Sequence, residues 1–225
     1  MRGISSMATR RLLADVVQAW LQRGGAEIDI ESMGGVDAAR RVRDGEAYDV
    51  VVLAADAIEK LCAAGCIVPG TEADVGRSGV AIAVRQGAPR PAVDTEEALR
   101  AAVLATRSVG YSTGPSGVAL QQLFARWGIA ATIKARLVQA PAGVPVATLL
   151  ARGDVDLGFQ QLSELMHEEG VDVIGTMPAG ISIITTFRGA VCSASRAPGA
   201  ARAFLDFACS SDTSAIKHRH GIQPV

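Results

Sequence analysis

The first 65 residues repeat one rhythm three times, and few folds accept it. A short strand over residues 2–5 gives way to a helix over 6–22. That helix carries Leu13, Val17 and Leu21 on one stripe, with Leu12, Val16 and Trp20 beside it, and Gly24 and Gly25 stop it. Residues 27–33 alternate through Ile28 and Ile30 as a second strand, and a helix over 36–44 ends at Gly45. Val50, Val51, Val52 and Leu53 are apolar without alternation, as in a strand covered on both faces of a parallel sheet. A helix over 56–64 then closes at Gly65. Strand and helix in strict succession predict βαβ units and an open, mainly parallel sheet.

The rhythm returns after residue 80. A strand over 80–84 precedes a helix over 95–105, capped by Asp94 and acidic in its first turn at Glu96 and Glu97. A strand over 108–111 leads through a turn of small residues into a helix with Leu120, Leu123, Phe124 and Trp127 on one face, ended by Gly128. Residues 134–139 read as a strand, followed by the turn Ala140-Pro-Ala-Gly143 and a helix over 144–152 with Pro145 in its first turn. A strand over 155–159 runs into Gln160 and Gln161, and further strands are expected at 171–174, 181–186 and 189–192. Two helices close the chain, one after Pro198 and one capped by Asp212. No linker and no internal repeat interrupts this order.

Composition narrows the function. With 225 residues, nearly half of them hydrophobic, the chain can build two lobes with their own cores. A formal net charge of −1 argues against nucleic acid as a partner. The four cysteines lack paired C-x-x-C spacing and sit among apolar residues, so free buried thiols are expected, with no metal site and no cofactor. No apolar run is long enough to span a membrane. Residues 1–6 have no export signal, so the chain as given reads as cytoplasmic, or as periplasmic if a leader has been removed.

The chemistry concentrates where strands give way to helices, because a helix start presents unpaired amides and a positive dipole end to an anion. Four such points stand out. They are Ser5 and Ser6; Gly34, Gly35 and Val36; the turn of Ser112, Thr113, Gly114, Ser116 and Gly117; and Gly143 with Val144. Hydroxyls and amides occur here in place of Lys or Arg, so ligands would be sorted by geometry more than by net charge.

Four segments, Gly3-Ile-Ser-Ser-Met-Ala8, Asp49-Val-Val-Val-Leu-Ala-Ala-Asp56, Gly110-Tyr-Ser-Thr-Gly-Pro-Ser-Gly117 and Ala151-Arg-Gly-Asp-Val-Asp-Leu-Gly-Phe-Gln-Gln161, resemble the type II periplasmic substrate-binding proteins. Their molybdate-binding branch, the solute-binding component of ABC transporters, is the most similar. The resemblance implies an α/β fold of two lobes, each a mixed sheet flanked by helices and joined by crossover strands. Residues 1–79 and 178–225 would form one lobe and 80–177 the other, closing on a small oxyanion or carboxylate. It implies an ABC permease as partner and ligand donors at Ser5 or Ser6, Gly35, Val36, the turn from Gly114 to Gly117, and Val144.

Two departures from that pattern bear on the ligand. A second serine expected after the second strand reads Gly34-Gly35, and a hinge tyrosine reads Gln160-Gln161, with Gln160 taken as its replacement. Both changes favour a ligand other than molybdate, such as a larger carboxylate. The same branch also resembles isomerases of unsaturated tricarboxylates such as aconitate. Such an enzyme needs a base, for which Glu31, Asp56 and Tyr111 are the candidates.

Overall fold

A computed structural model describes every residue except Ala142, so that part of the expected turn before Val144 lies outside the described residues. The elements run β1 (Arg2–Ser6), α1 (Arg10–Gln22), β2 (Asp29–Met33), α2 (Gly35–Arg43), β3 (Val50–Ala54), α3 (Ala55–Ala63) and β4 (Ala73–Arg85). There follow α4 (Glu96–Ala105), β5 (Val109–Tyr111), α5 (Pro115–Arg126), α6 (Ala130–Ile133), β6 (Leu137–Gln139) and α7 (Val146–Arg152). Next are β7 (Leu157–Gln161), α8 (Leu162–Leu165), β8 (Val171–Thr176), β9 (Ile184–Val191), α9 (Pro198–Cys209) and α10 (Ser214–Arg219). They form two compact units, Met1–Ser78 with Thr185–Val225, and Gly79–Ile184.

In the first unit the strand order is β2-β1-β3-β9-β4; β1 pairs in parallel with β2 and β3, and β9 is antiparallel to β3. The unbroken apolar run of β3 has its reason here. Val50 and Val52 pack against Leu12, Leu13 and Val16 of α1 and Phe204 and Leu205 of α9, while Val51 and Leu53 pack against Ala38 and Val42 of α2 and Ile58 and Leu61 of α3. Each face of the sheet thus has its own apolar layer, and the two layers require every position of the strand to be apolar.

The second unit has the order β4-β7-β5-β6, with β8 also on β4; β5 lies parallel to both β6 and β7, and β7 is antiparallel to β4. One face packs Ile82, Tyr111 and Phe159 against Leu120, Leu123 and Phe124 of α5. The other packs Ala81 and Ala83 against Val146, Leu149 and Leu150 of α7. On that face α7 lies low over two glycines. A Cβ on Gly158 would come within 2.7 Å of Leu150, and one on Gly110 within 3.1 Å of Val146. Small residues there bring the start of α7 down onto the end of β7.

Residues 178–184, assigned by sequence to the first lobe, belong to the second unit. Ile181 is part of its core, and Val80 is hydrogen-bonded on both sides, donating to the Ile183 carbonyl and accepting from the Met177 amide. The cap of α4 is Thr95 rather than Asp94, its hydroxyl accepting from the Ala98 amide at 3.1 Å. All four cysteines are free, but only Cys192 is buried; Cys62, Cys66 and Cys209 are half-buried. Among the described residues no group of His, Cys, Asp and Glu could hold a metal, and no helix is long and apolar enough to cross a membrane.

Candidate functional site

In the first unit the donors gather beyond the carboxyl ends of β1 and β2. The parallel register sets Ser5 opposite Ser32, and their hydroxyls lie 2.8 Å apart. Ser5 is fully buried and Ser32 half-buried. Either hydroxyl can donate to the other, and that of Ser5 also donates to the Ser6 carbonyl at 3.3 Å; when Ser5 turns its proton to Ser32, the Ser32 proton is freed for an anion. Ser6 stands next along β1, its hydroxyl 3.5 Å from that of Thr9, which also donates to the Ser6 carbonyl at 3.1 Å. The start of α2 comes up beside it, since a Cβ on Gly35 would lie 3.8 Å from the Ser6 Cβ. No side chain caps α2 at Gly34, and the amides of Gly35 and Val36 have no carbonyl within the helix to bond. Ser5, Ser6, Gly35 and Val36 are therefore brought together, with Ser32 added.

Sequence reasoning missed Ser32 because it looked for a serine in the Gly34-Gly35 turn. The alternation held the signal. Ile28, just before β2, and Ile30 and Ser32 within it follow one alternation, and a hydroxyl at the last of these positions breaks an apolar series at the strand's end.

In the second unit the corresponding group is the turn between β5 and α5. Ser112 and Ser116 hydroxyls lie 3.3 Å apart, Thr113 is exposed beside them, and no side chain caps α5 at Gly114. Gly117 acts by what it lacks. A Cβ there would sit 1.9 Å from the Ser112 carbonyl oxygen, so only glycine lets the helix rest on that carbonyl and hold Ser116 against Ser112. Its amide donates to the Gly114 carbonyl at 3.0 Å, which also receives Val118, so Gly117 shapes the site without offering a donor.

Two expected donors are occupied by the protein itself. The Val144 amide donates to the Pro141 carbonyl at 3.0 Å. The Gln160 carbonyl oxygen accepts from the Val146 amide at 2.8 Å, and its NH2 group donates to Glu164 at 2.8 Å. Gln160 is thus a brace between the starts of α7 and α8, aimed the same way as Gly158. Strand alternation turns its neighbour Gln161 to the other face, that of Phe159 and α5, where the Ser112–Ser116 pair lies. A pair of consecutive glutamines cannot be sorted from sequence without knowing which face α7 covers.

The candidate bases have contacts of their own. Glu31 turns away from Ser32 and accepts from the Tyr48 hydroxyl at 2.6 Å, from Arg41 at 2.5 Å and from Arg2 at 3.0 Å. Its pKa lies below the usual carboxylate range, chiefly through the Tyr48 hydrogen bond, with burial opposing and Arg41 reinforcing. Tyr48 is correspondingly raised, by burial first and then by Glu31 and Glu46. This network, in which Arg41 also binds Glu46 at 2.7 Å, fastens β2 to α2. Asp56 pairs with Lys60 one turn along α3 at 3.6 Å. Tyr111 is packed in the core of the second unit.

A family model for bacterial extracellular solute-binding proteins matches residues 2–223. This chain belongs to that family. A curated relative, an aconitate isomerase from Pseudomonas sp, is 36% identical over 228 residues, covering 99% of this solute-binding protein and 87% of the relative. The fold is that of a periplasmic molybdate-binding protein from Azotobacter vinelandii, with TM-score 0.83, 18% identity, and 99% and 98% of the two chains covered. It is shared by a sulfate-binding protein from Mycobacterium tuberculosis H37Rv, with TM-score 0.81, 18% identity, and coverage of 100% and 86%.

Proposed function

We propose that this solute-binding protein takes a small organic anion bearing carboxylate groups, held first by hydroxyls and helix-start amides. The observation that carries the reading is the Ser5–Ser32 pair at 2.8 Å, a buried hydroxyl beside a half-buried one at the strand ends that lead to the uncapped start of α2. Ser112 and Ser116 offer the same type of donor in the second unit. The molybdate and sulfate ligands named for two structural neighbours support an anion. The departure toward carbon comes from two valines. Val36 and Val118, each in the first turn of a donor helix, are 67% and 54% exposed. Such side chains offer an inorganic oxyanion nothing, whereas they cover the methylene or vinyl carbons of an organic acid. In this reading the protein works in the periplasm and delivers its ligand to an ABC permease.

The test is thermal unfolding of the purified protein with molybdate, sulfate, butyrate, citrate and the two aconitates. A ligand at a hundredfold excess over its Kd adds about 2.7 kcal/mol, which is on the order of 5–10 °C for a chain of this size. Stabilisation by organic acids but not by molybdate or sulfate is expected. A response to the inorganic ions alone would overturn the organic reading, and no response to any anion would overturn the site.

A second reading is isomerisation of an unsaturated tricarboxylate, favoured by the aconitate isomerase relative. That reaction removes a proton at one carbon and returns it at another, which requires a base beside the bound acid. Glu31 is tied to Tyr48 and Arg41, Asp56 is paired with Lys60, and Tyr111 is buried in the core of the second unit, so binding is placed first. Incubation of each aconitate in D₂O, followed by proton NMR, separates the two. Interconversion with deuterium uptake would make the protein an enzyme; tight binding without exchange would leave it a receptor.

A further inference from the structure

The donor set of the first unit is neutral, but a cation stands on the same loop. Arg10 is the first residue of α1, reached from the end of β1 by the single turn Met7–Thr9. That turn is folded back on Ser6, whose carbonyl accepts from Thr9, the residue immediately before Arg10. Side chains of a helix lean toward its N-terminus, so a guanidinium at the first position has the length to reach back over the turn toward the end of β1.

The placement is an unfavourable one for stability. The positive end of the helix dipole disfavours a cation there, and the first turn of α1 contains no acid to offset it. Among the described residues the Arg10 side chain, which is exposed, makes no ion pair and no hydrogen bond. The acid in the neighbouring first turn of α2, Asp37, is already taken by Arg40 at 2.9 Å. Three other arginines of this unit are committed, Arg2 and Arg41 to Glu31 and Arg188 to Asp74. A cation kept where the backbone repels it, without a partner and one turn from Ser6, is available to an incoming anion.

We propose that Arg10 recognises charge for the site of the first unit, and that the ligand is a di- or tricarboxylate. One carboxylate is held by the Ser6 and Ser32 hydroxyls and the α2 amides, and a second, farther along the carbon skeleton, meets the Arg10 guanidinium, whose planar fork matches a carboxylate. This inference rests on the organic-anion reading above and narrows it to ligands with separated charges.

The experiment compares wild type with Arg10→Gln and Arg10→Lys by calorimetric titration, using tricarballylate as the polycarboxylate and butyrate as the monocarboxylate. Thermal unfolding without ligand should be the same for all three proteins, because Arg10 supports nothing in the fold. Arg10→Gln should weaken tricarballylate at least tenfold and leave the butyrate response as it is in wild type. Arg10→Lys should recover part of the loss, and raising the salt concentration should weaken wild type more than Arg10→Gln. Equal tricarballylate affinity in wild type and Arg10→Gln overturns the role of Arg10 while the organic-anion site stands. Wild type that binds neither acid overturns both.

Discussion

The two hydroxyl pairs set the same groups side by side on different supports. Ser5 and Ser32 come from adjacent strands, so their 2.8 Å spacing is set by the register of a hydrogen-bonded ladder. Ser112 and Ser116 come from one turn, and their 3.3 Å spacing depends on Gly117 letting α5 settle onto the Ser112 carbonyl. A register is held by many bonds at once, whereas the turn rests on the absence of one methyl group. The first pair should therefore tolerate local change, and the second should not.

The largest expected effect follows directly. Gly117→Ala sets a Cβ against a backbone oxygen that has no rotamer to escape into, and should cost on the order of 2–3 kcal/mol and, on the proposed reading, weaken ligand stabilisation as well. Chemical denaturation with and without ligand checks this, and a variant as stable as wild type would show that the turn relaxes freely.

On the strand-borne side, Tyr48→Phe removes the hydroxyl that ties Glu31 to the β2–α2 network. Hydrogen bonds to charged groups are worth about 1.5–3 kcal/mol, and because Glu31 is about one-third exposed a loss near 1–2 kcal/mol is expected. The effect should depend on pH. A carboxylate held below its ordinary pKa stabilises the fold fully above the unfolded value, 4.5 for Glu31, and loses that contribution as pH falls through the lowered folded value. The gap between wild type and Tyr48→Phe should thus be widest near neutrality and close in acid; a gap independent of pH would remove Glu31 from the account. The smallest effect on stability is that of Ser32→Ala, about 1 kcal/mol for one hydrogen bond, with a larger loss in ligand affinity. A loss of stability alone, with affinity unchanged, would make the pair a sheet contact and nothing more.

The same contrast explains what the sequence could disclose. The turn at Ser112–Gly117 is local, and its residues could be read in order. Ser32 gains its meaning from Ser5, which is remote in sequence and becomes its neighbour only through strand pairing. β4 was expected over 80–84 and runs Ala73–Arg85, because Gly76, Arg77 and Ser78 break the apolar pattern. That break has a cause in the fold: the C-terminal segment lies across the strand, Arg77 and Gln223 exchange backbone hydrogen bonds, and a Cβ on Gly76 would come within 2.8 Å of the Gln223 carbonyl. The strand expected at 181–186 is displaced to Ile184–Val191, a short helical turn over Ala179–Ile181 taking its beginning, and residues 134–136 form a further turn ahead of β6. Each shift falls where a long-range partner outweighs local propensity. The periodic helices, whose pattern is local, lie close to where their apolar stripes put them.

The division of the chain also fixes an order of events during synthesis. The second unit is one uninterrupted stretch, Gly79–Ile184, and all its strand partners have emerged by the time that stretch is complete. The first unit is not. β3 needs β9, with Val50 paired to Val191, and its apolar layer needs Phe204 and Leu205 from α9. A nascent chain therefore holds an unfinished sheet around β3 until α9 has been made, with the valines of β3 lacking their cover. Distant pairings of this type are slow to form, so the strands that carry Ser5 and Ser32 belong to a unit that closes only after Gly79–Ile184 has been made.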